Sequence, residues 1–338
     1  MSVDETLAGY ANLLLYGAMA AYTAAFLAFV LDLAGGTARA ERQRTLAERR
    51  AVPVGAAAVP PGSGAAGDVS PGDVRSGDGT PPPRERRQAA AIGVSLTVLA
   101  LLLHLAAVAA RGWSVHRPPW GNMYEFATAG AAVVTLVFLA ALRWRDLRYL
   151  GTFVVGPVLL TLGLAVVVLY TRASQLVPSL KSVWLAIHVS VAFVSSALFT
   201  LAFSVTVLYL VQARRERRRA LGEPVRPAFT DALPAARELD RASYQLHAVA
   251  FPLWTFTLVA GAIWAENAWG RYWGWDPKEV WTFVIWVVYA GYLHARATRG
   301  WQGRKAAGLA LVGYGCVLFN FLVVNIFFVG MHSYAGVG

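Results

Sequence analysis

The apolar residues of this chain occur in blocks of about 20, and this feature constrains the fold more than any other. A helix needs about 20 apolar residues to cross ~30 Å of hydrocarbon. Of the 338 residues, 57% are hydrophobic and only 14% are charged, whereas soluble proteins have about 25% charged residues. The sequence therefore predicts an all-α polytopic membrane protein.

Eight blocks are long enough to be membrane spans. They cover residues 8–34, 89–111, 122–142, 150–171, 183–212, 246–265, 279–298 and 306–329. The N-terminus lacks the basic region of a secretory signal, so residues 1–34 are interpreted as a retained first span. Residues 35–88 are rich in Pro, Gly and Arg, which predicts a disordered, basic cytoplasmic linker. Residues 89–338 are then a seven-helix membrane domain.

The basic residues predict an orientation. The formal net charge is +11, and 27 of the 30 cations are Arg. With the N-terminus outside, 24 of the 30 lie on inner loops or at inner span ends, as the positive-inside rule requires. We therefore expect both termini outside. The same pattern argues against a nucleic-acid partner, which would need a clustered basic face.

Tryptophan is concentrated in one predicted outer loop, residues 264–281. Together with Trp286, this loop contains six of the 12 tryptophans within 23 residues. One interpretation is an interfacial aromatic belt, although a belt needs only one or two aromatic residues at each span end. The other is a wall for a large planar ligand, because Gly270 and Gly274 let a loop of aromatic rings fold flat.

Two short segments at the predicted outer face have the pattern of a helix N-terminus. Asp276-Pro-Lys-Glu279 combines a good N-cap, a proline at the first helical position and a glutamate that completes a capping box. Asn122-Met-Tyr-Glu125 repeats the device at the third span. Capping is thus the simplest role for Asp276 and Glu279, and it would also make a nearby site rigid.

The polar residues that could bind a metal are mainly histidines. The only cysteine, Cys316, lies in an apolar block, which excludes a disulfide framework, a CxxC pair and a Cys-based zinc site. His188 and His332 lie near the predicted outer face, beside the tryptophans, whereas His294 lies deep in its span. Two outer histidines beside an aromatic wall favour bis-imidazole ligation of a haem iron. Zinc is the rival, but a third and fourth ligand do not cluster there.

The segment from Trp264 to Glu279 resembles the tryptophan-rich WWD signature of the haem handling protein superfamily. Within that superfamily, the chain resembles the CcsA/ResC-type subunit of the System II cytochrome c synthase, often named CcsB in actinobacteria. The resemblance covers about residues 115–338. Further matching segments are 119–125, 184–189, 292–296 and 330–334.

This resemblance implies roles for individual residues. His188 and His332 correspond to the outer haem ligands, and His294 to the transmembrane histidine that binds haem nearer the cytoplasm. The remaining haem-binding surface comprises Trp264, Trp269, Tyr272, Trp273, Trp275 and Asp276. Independently of the resemblance, the positive charges of Arg271 and Lys278 make them candidates for contacts with the haem propionates. For His104 and His247 we expect structural roles, and His116 is a weaker candidate still.

The resemblance also implies a function in cytochrome c biogenesis. The chain would export haem b and present it for attachment to the CxxCH segment of apocytochrome c, as a subunit of a holocytochrome c synthase. Its partners would be a ResB/Ccs1-type membrane subunit and, indirectly, a thioredoxin-like thiol-reducing pathway. The expected location is the bacterial plasma membrane, with the active site on the extracytoplasmic face.

Three alternatives remain open from the sequence. The first is a haem transporter or chaperone without ligation activity. The second is a b-type electron-transfer subunit, for which His247 and His294 are the available inner pair. The third is an unrelated permease in which the tryptophans form only an interfacial belt.

Overall fold

The computed structural model describes residues 3–51, 88–173, 182–226, 228–298 and 300–332. Within these ranges the chain is a bundle of long helices, which confirms the all-α prediction. The long helices are α1 (Glu5–Ala51), α2 (Gln88–Ser114), α3 (Met123–Ala141), α4 (Gly151–Val167), α5 (Val183–Ala220), α6 (Ala236–Trp269), α7 (Pro277–Thr298) and α8 (Arg304–Leu318).

Seven helical stretches of the described residues are long and apolar enough to cross a membrane, so the chain is a multi-pass membrane protein. The predicted span 279–298 corresponds to α7, which has 22 residues but is not among the seven. It contains Lys278, Glu279 and Arg296, which lower its hydropathy. These polar groups have partners inside the protein, on α6, in the loop before α7 and on the segment after α8. The number of spans and their orientation stay predictions.

Two helices extend further than their predicted spans. Helix α1 continues to Ala51, past the predicted start of the linker at residue 35. Residues 52–87 lie outside the described residues, so the linker stays a prediction. Helix α6 ends at Trp269 and α7 begins at Pro277, so only residues 270–276 of the predicted 264–281 loop are non-helical. Gly270 ends α6 in the left-handed conformation, with a φ of 69°, which glycine adopts without strain.

The helices pack around two main apolar clusters. The larger cluster is built mostly from α1 to α5 and includes Tyr22, Phe29 and Phe138. The second cluster contains residues of the four helices α5, α6, α7 and α8. At its centre, the rings of Phe199 on α5 and Tyr289 on α7 stack with centroids 4.0 Å apart. A cavity lies between the two halves of the bundle, at the end where α6 stops and α7 starts. We call this end of the bundle the site end.

The opposite end of the bundle is held by ion pairs. Arg215 and Arg219 of α5 both bind Asp231, which lies on a short 3-10 helix, Phe229–Ala232. Arg296 of α7 forms a two-pronged pair with Asp240 of α6. Burial alone would raise the pKa of Asp231. The Ala228 N–H and the two guanidinium groups instead hold that pKa below its usual range.

Candidate functional site

Helices α3 to α8 enclose a cavity of about 470 Å³ at the site end. Pockets for ligands of drug size have volumes of roughly 300–1,000 Å³. The lining is mostly apolar and comes from six helices, with a small set of polar side chains among them. Those that concern the chemistry are His188, His332, Lys278, Glu279, Asn320 and Asn325.

His188 is placed on the cavity wall by a contact between α5 and α6. Its Nδ1 lies 2.9 Å from the carbonyl oxygen of Thr257. A carbonyl oxygen only accepts, so Nδ1 carries the hydrogen, and Nε2 is the ring nitrogen that can coordinate a metal. Gly261 makes this approach possible, because a Cβ at that position would lie 2.8 Å from His188 Nδ1.

His332 has the same arrangement with a different partner. Its Nδ1 lies 2.8 Å from the Asp276 Oδ2, and Asp276 is only 6% exposed. The other carboxylate oxygen of Asp276 accepts the Met331 N–H at 2.6 Å. Burial would raise the pKa of Asp276, but His332 and the backbone N–H groups of Met331 and Lys278 hold that pKa below its usual range.

Trp264 links the two histidines. Its indole lies nearly parallel to the His188 ring, with centroids 6.1 Å apart, and meets the His332 ring edge-on at 5.5 Å. Trp269 contacts both Trp264 and His332, with centroid distances of 4.7 and 4.9 Å. Trp264 is 2% exposed, so the pair of imidazoles is braced by a fixed indole.

The other aromatic residues of the predicted haem-binding surface, Tyr272, Trp273 and Trp275, differ in whether they line the cavity. Tyr272 and Trp273 line the cavity together with Trp264. Trp275 does not line it: this residue is 73% exposed and adopts a left-handed backbone conformation, with a φ of 60°. The aromatic residues therefore form part of the cavity wall and part of the exposed surface around it, rather than a single flat wall.

Asp276 has the capping role that the sequence predicted, and it also orients His332, which the sequence did not predict. Its Oδ2 accepts the Lys278 N–H at 3.2 Å, and Glu279 Oε2 accepts the Asp276 N–H at 3.1 Å. These bonds are the reciprocal pattern of a capping box. The same carboxylate orients His332, so the helix start and the histidine are fixed by one residue.

The second predicted cap, at α3, differs in one bond, because Glu125 Oε2 accepts the N–H of Gly121 and not that of the cap residue. Asn122 Oδ1 accepts the Glu125 N–H at 2.9 Å, which begins the helix. Glu125 is fully buried and pairs with Arg117 at 2.7 Å and with Arg111 at 3.1 Å. Arg111 also donates to the Thr171 carbonyl oxygen at 2.6 Å. This network ties α2, α3 and the end of α4 together beside the cavity.

The cavity contains one feature that the sequence analysis missed. Helix α8 passes into a π-helical segment, Phe319–Val324, and a short helix, Asn325–Phe327. Lys278 Nζ reaches this segment, where it donates to the Asn320 carbonyl oxygen at 3.2 Å and to Asn325 Oδ1. Two asparagines inside an apolar span were the available signal, because polar side chains at that depth usually have a functional or structural partner.

The deeper histidines do not form a pair. His247 is 1% exposed, and its ring packs against Tyr289 and Tyr292 on the buried side of α7. His294 lies on the exposed side of α7, on the same face as Phe283 and Val287. An electron-transfer site with haem between His247 and His294 is therefore not formed within this chain.

The other candidates lie away from the cavity. His104 is fully buried between α1 and α3, with its Nδ1 3.4 Å from the Tyr22 hydroxyl. His116 is in the turn after α2, with a φ of 53°. Of the two candidate cations for propionates, Lys278 lines the cavity and Arg271 does not.

Comparison with known proteins agrees with this architecture. The family described as "Cytochrome C assembly protein" matches residues 120–332. The cytochrome c biogenesis protein CcsA of Synechococcus elongatus is 36% identical over 286 residues, covering 72% of this chain and 87% of that protein. CcsA of Porphyra purpurea is 33% identical over 249 residues, covering 64% of this chain and 78% of that protein.

A solved structure shares the fold. The cytochrome c haem lyase CcmF superposes with a TM-score of 0.60 at 16% sequence identity, covering 95% of this chain. The chain spans about half of that structure's length, 47%.

The fold and the matched region thus define a polytopic membrane protein of the type that assembles cytochromes. The chain belongs to the cytochrome c assembly protein family, and its role lies in cytochrome c maturation.

Proposed function

We propose that this protein carries haem b outward across the plasma membrane and presents it for covalent attachment to apocytochrome c. One observation carries the proposal. His188 and His332 line the same cavity, and in each ring Nδ1 is held by an oxygen so that Nε2 can ligate iron. A hydrogen bond to the second ring nitrogen is the usual support of a metal-binding histidine.

The residues fit haem chemically. Imidazole is a preferred axial ligand of haem iron, and the mostly apolar lining suits the porphyrin plane. Asp276 increases the basicity of the His332 ring, because it accepts the hydrogen of Nδ1. Trp264 limits the movement of both imidazoles. The site would thereby hold and orient haem while the thiols of apocytochrome c react with its vinyl groups.

The attachment reaction needs orientation rather than a nucleophile from this chain. Each thiol of the CxxCH segment adds across a vinyl group: an S–H bond and a π bond break, while a C–S bond and a C–H bond form. No electrons are gained or lost in this addition. The thiols must arrive reduced, which is the role of a thioredoxin-like pathway. The single cysteine of this chain, Cys316, is not paired with a second thiol for that task.

A partner subunit has a place in this proposal. His294 lies on an exposed face of α7, so a haem bound there would meet its second ligand on another polypeptide. A ResB/Ccs1-type subunit would provide it. The WWD segment 264–281 and the outer histidines would then form the extracytoplasmic site of a System II cytochrome c synthase.

The proposal is tested with His188→Ala and His332→Ala. Each variant should lose the low-spin spectrum of a haem with two imidazole ligands, because one axial position loses its protein ligand. Added imidazole should restore that spectrum in part. His116→Ala, which changes a histidine in the turn after α2, is the matched control and should keep the wild-type spectrum. A wild-type spectrum in either site variant contradicts the assignment.

Co-expression separates synthesis from transport alone. The chain, its partner subunit and an apocytochrome c are produced together, and covalent haem on the cytochrome is measured by haem staining. We expect covalent haem with the wild-type chain and a loss of at least tenfold with His332→Ala. Haem bound with two imidazole ligands but no covalent product would indicate a haem transporter without ligation activity.

A further inference from the structure

We propose that Lys278 anchors a carboxylate of the ligand and so fixes how the haem is rotated within the cavity. The inference rests on the proposed function and adds a residue that determines orientation. Haem b has its two propionates on one edge and its vinyl groups elsewhere on the ring. Holding the propionate edge at one point of the cavity therefore decides where the vinyl groups lie relative to the bound thiols.

The charge of Lys278 is the first observation. Among the described residues that line the cavity, Lys278 is the only lysine or arginine. Its partners are two neutral oxygens, the Asn320 carbonyl and Asn325 Oδ1. None of the ion pairs formed by described residues includes Lys278. Asp276 acts on the ammonium group electrostatically, but no carboxylate of the described residues is hydrogen-bonded to it. A ligand carboxylate would therefore add a direct, charge-assisted hydrogen bond in a mostly apolar cavity.

The position of Lys278 is the second observation. It lies at the second residue of α7, and Asp276 and Glu279 fix that helix start. The opposite wall is the π-helical segment of α8, a type of irregularity that is frequent at functional sites. The ammonium group is thereby held between two rigid elements, with the stem extended toward α8. A cation placed in this way selects the position of an anion as well as its charge.

Two unsatisfied acceptors line the cavity near Lys278, one on α7 and one on the π-helical segment. Glu279 Oε1 and Asn320 Oδ1 are buried and have no hydrogen-bond partner among the described residues. Glu279 Oε2 is already occupied by the N–H groups of Gly274 and Asp276. Since both free atoms accept hydrogen bonds, water or a protonated carboxyl group would satisfy them. The region around Lys278, Glu279 and Asn320 is therefore the polar part of the cavity lining, and the carboxyl edge of haem is the part of the ligand that matches it.

The test is a double-mutant cycle between the protein and the ligand. The full chain in lipid nanodiscs is titrated with haem b and with haem b dimethyl ester, which lacks both carboxylate charges. The same titrations are made with Lys278→Gln, whose amide can still donate to Asn320 and Asn325 and so keep the contact between α7 and α8. Lys278→Met is a second variant without hydrogen-bond donors.

The wild-type protein should prefer haem over its diester by about 10-fold to 100-fold more than Lys278→Gln does, the range of a charge-assisted hydrogen bond. Arg271→Met, which changes the cation outside the cavity, should retain the wild-type preference. Equal preferences in the wild-type protein and Lys278→Gln would overturn the proposal, as would loss of the preference in Arg271→Met alone.

The titrations also separate a failure of the Lys278 anchor from a failure of the proposed haem-binding function. If the wild-type chain shows the spectrum of two imidazole ligands but no coupling to Lys278, only the anchor is wrong. If the wild-type chain binds haem without that spectrum, the function assigned to His188 and His332 is wrong, and the anchor is rejected with it. A second readout is the yield of attachment: with Lys278→Gln, less haem should become covalently attached, because a haem that rotates in its plane carries its vinyl groups away from the thiols.

Discussion

At the scale of the residue, the site depends on what holds each imidazole rather than on the imidazole alone. Both rings are oriented through a hydrogen bond from Nδ1. The backbone oxygen of Thr257 accepts it from His188, and the carboxylate of Asp276 accepts it from His332. Only the second partner is a side chain that sequence reasoning could identify. The first is supplied by the backbone of a neighbouring helix, which any residue type provides.

Gly261 gives a prediction at this scale. In Gly261→Ala the new methyl group would lie 2.8 Å from the His188 ring, so the ring must move away from Thr257. We expect the affinity for haem at the outer site to fall about tenfold or more, as is usual when the support of a ligating histidine is lost. The measurement is a haem titration followed by absorbance.

The helix itself should tolerate this change. Alanine is favoured over glycine in a helix by about 1 kcal/mol, so the variant should remain folded. Gly291→Ala on α7 is the matched control, because no atom lies within 4 Å of a Cβ at that position. An unchanged affinity in Gly261→Ala would show that the His188 ring does not need its contact with Thr257.

At the scale of the element, short local patterns determine where helices start and stop. Asn122 and Asp276 begin α3 and α7 as their sequence patterns predicted, and Gly270 ends α6. The predicted loop of 264–281 was nevertheless too long, because α6 continues through Trp264 to Trp269. The apolar pattern ends before the helix does. The helix continues to Trp269 because tryptophan and asparagine are compatible with helical hydrogen bonding.

The connection between α5 and α6 gives a prediction about pH. The pKa of Asp231 is held below its usual range, so its contribution to stability is present above its unfolded-state pKa of about 3.9 and is lost as pH falls through the folded-state value. We expect hydrogen exchange in residues 228–233 to be slow at neutral pH and to accelerate, after correction for the intrinsic rate, below about pH 4.

Asp231→Asn should remove this dependence, because the amide cannot carry the charge that Arg215 and Arg219 bind. The variant should show fast exchange at neutral pH in the same residues. Asp146→Asn is the control, since its pair with Arg148 is more exposed and lies in another loop. Wild-type exchange in Asp231→Asn would show that the ion pairs do not stabilise this connection.

At the scale of the whole molecule, the rotation of α7 separates the roles of two histidines. Its buried face contacts His247 through Tyr289 and Tyr292, and its exposed face presents His294. From the sequence, both histidines lay at similar depth and could have been neighbours. They are not neighbours, because the packing of α7 against α6 and α8 fixes which side of α7 is buried.

This placement predicts the behaviour of His294→Ala. In the complex with the partner subunit, we expect the variant to lose the haem bound within the membrane while it keeps the spectrum of the outer site after haem is added. The isolated chain should be unaffected, since the proposed outer ligands, His188 and His332, lie on α5 and after α8. Spectra of the complex and of the isolated chain provide the measurement. Loss of the outer spectrum in both samples would refute the separation of the two sites.

The sequence by itself determined the membrane class, the helical fold, the caps and the choice of His188 and His332 as candidate ligands. These features are encoded locally, in the length of apolar blocks, in hydrogen bonds over three or four residues and in the choice of a ligating side chain. Only the tertiary structure decided that Thr257 supports His188, that Lys278 reaches the π-helical segment and that His294 faces away from His247. Each of these depends on the rotation of one helix against another, which is set by the packing of all neighbouring side chains.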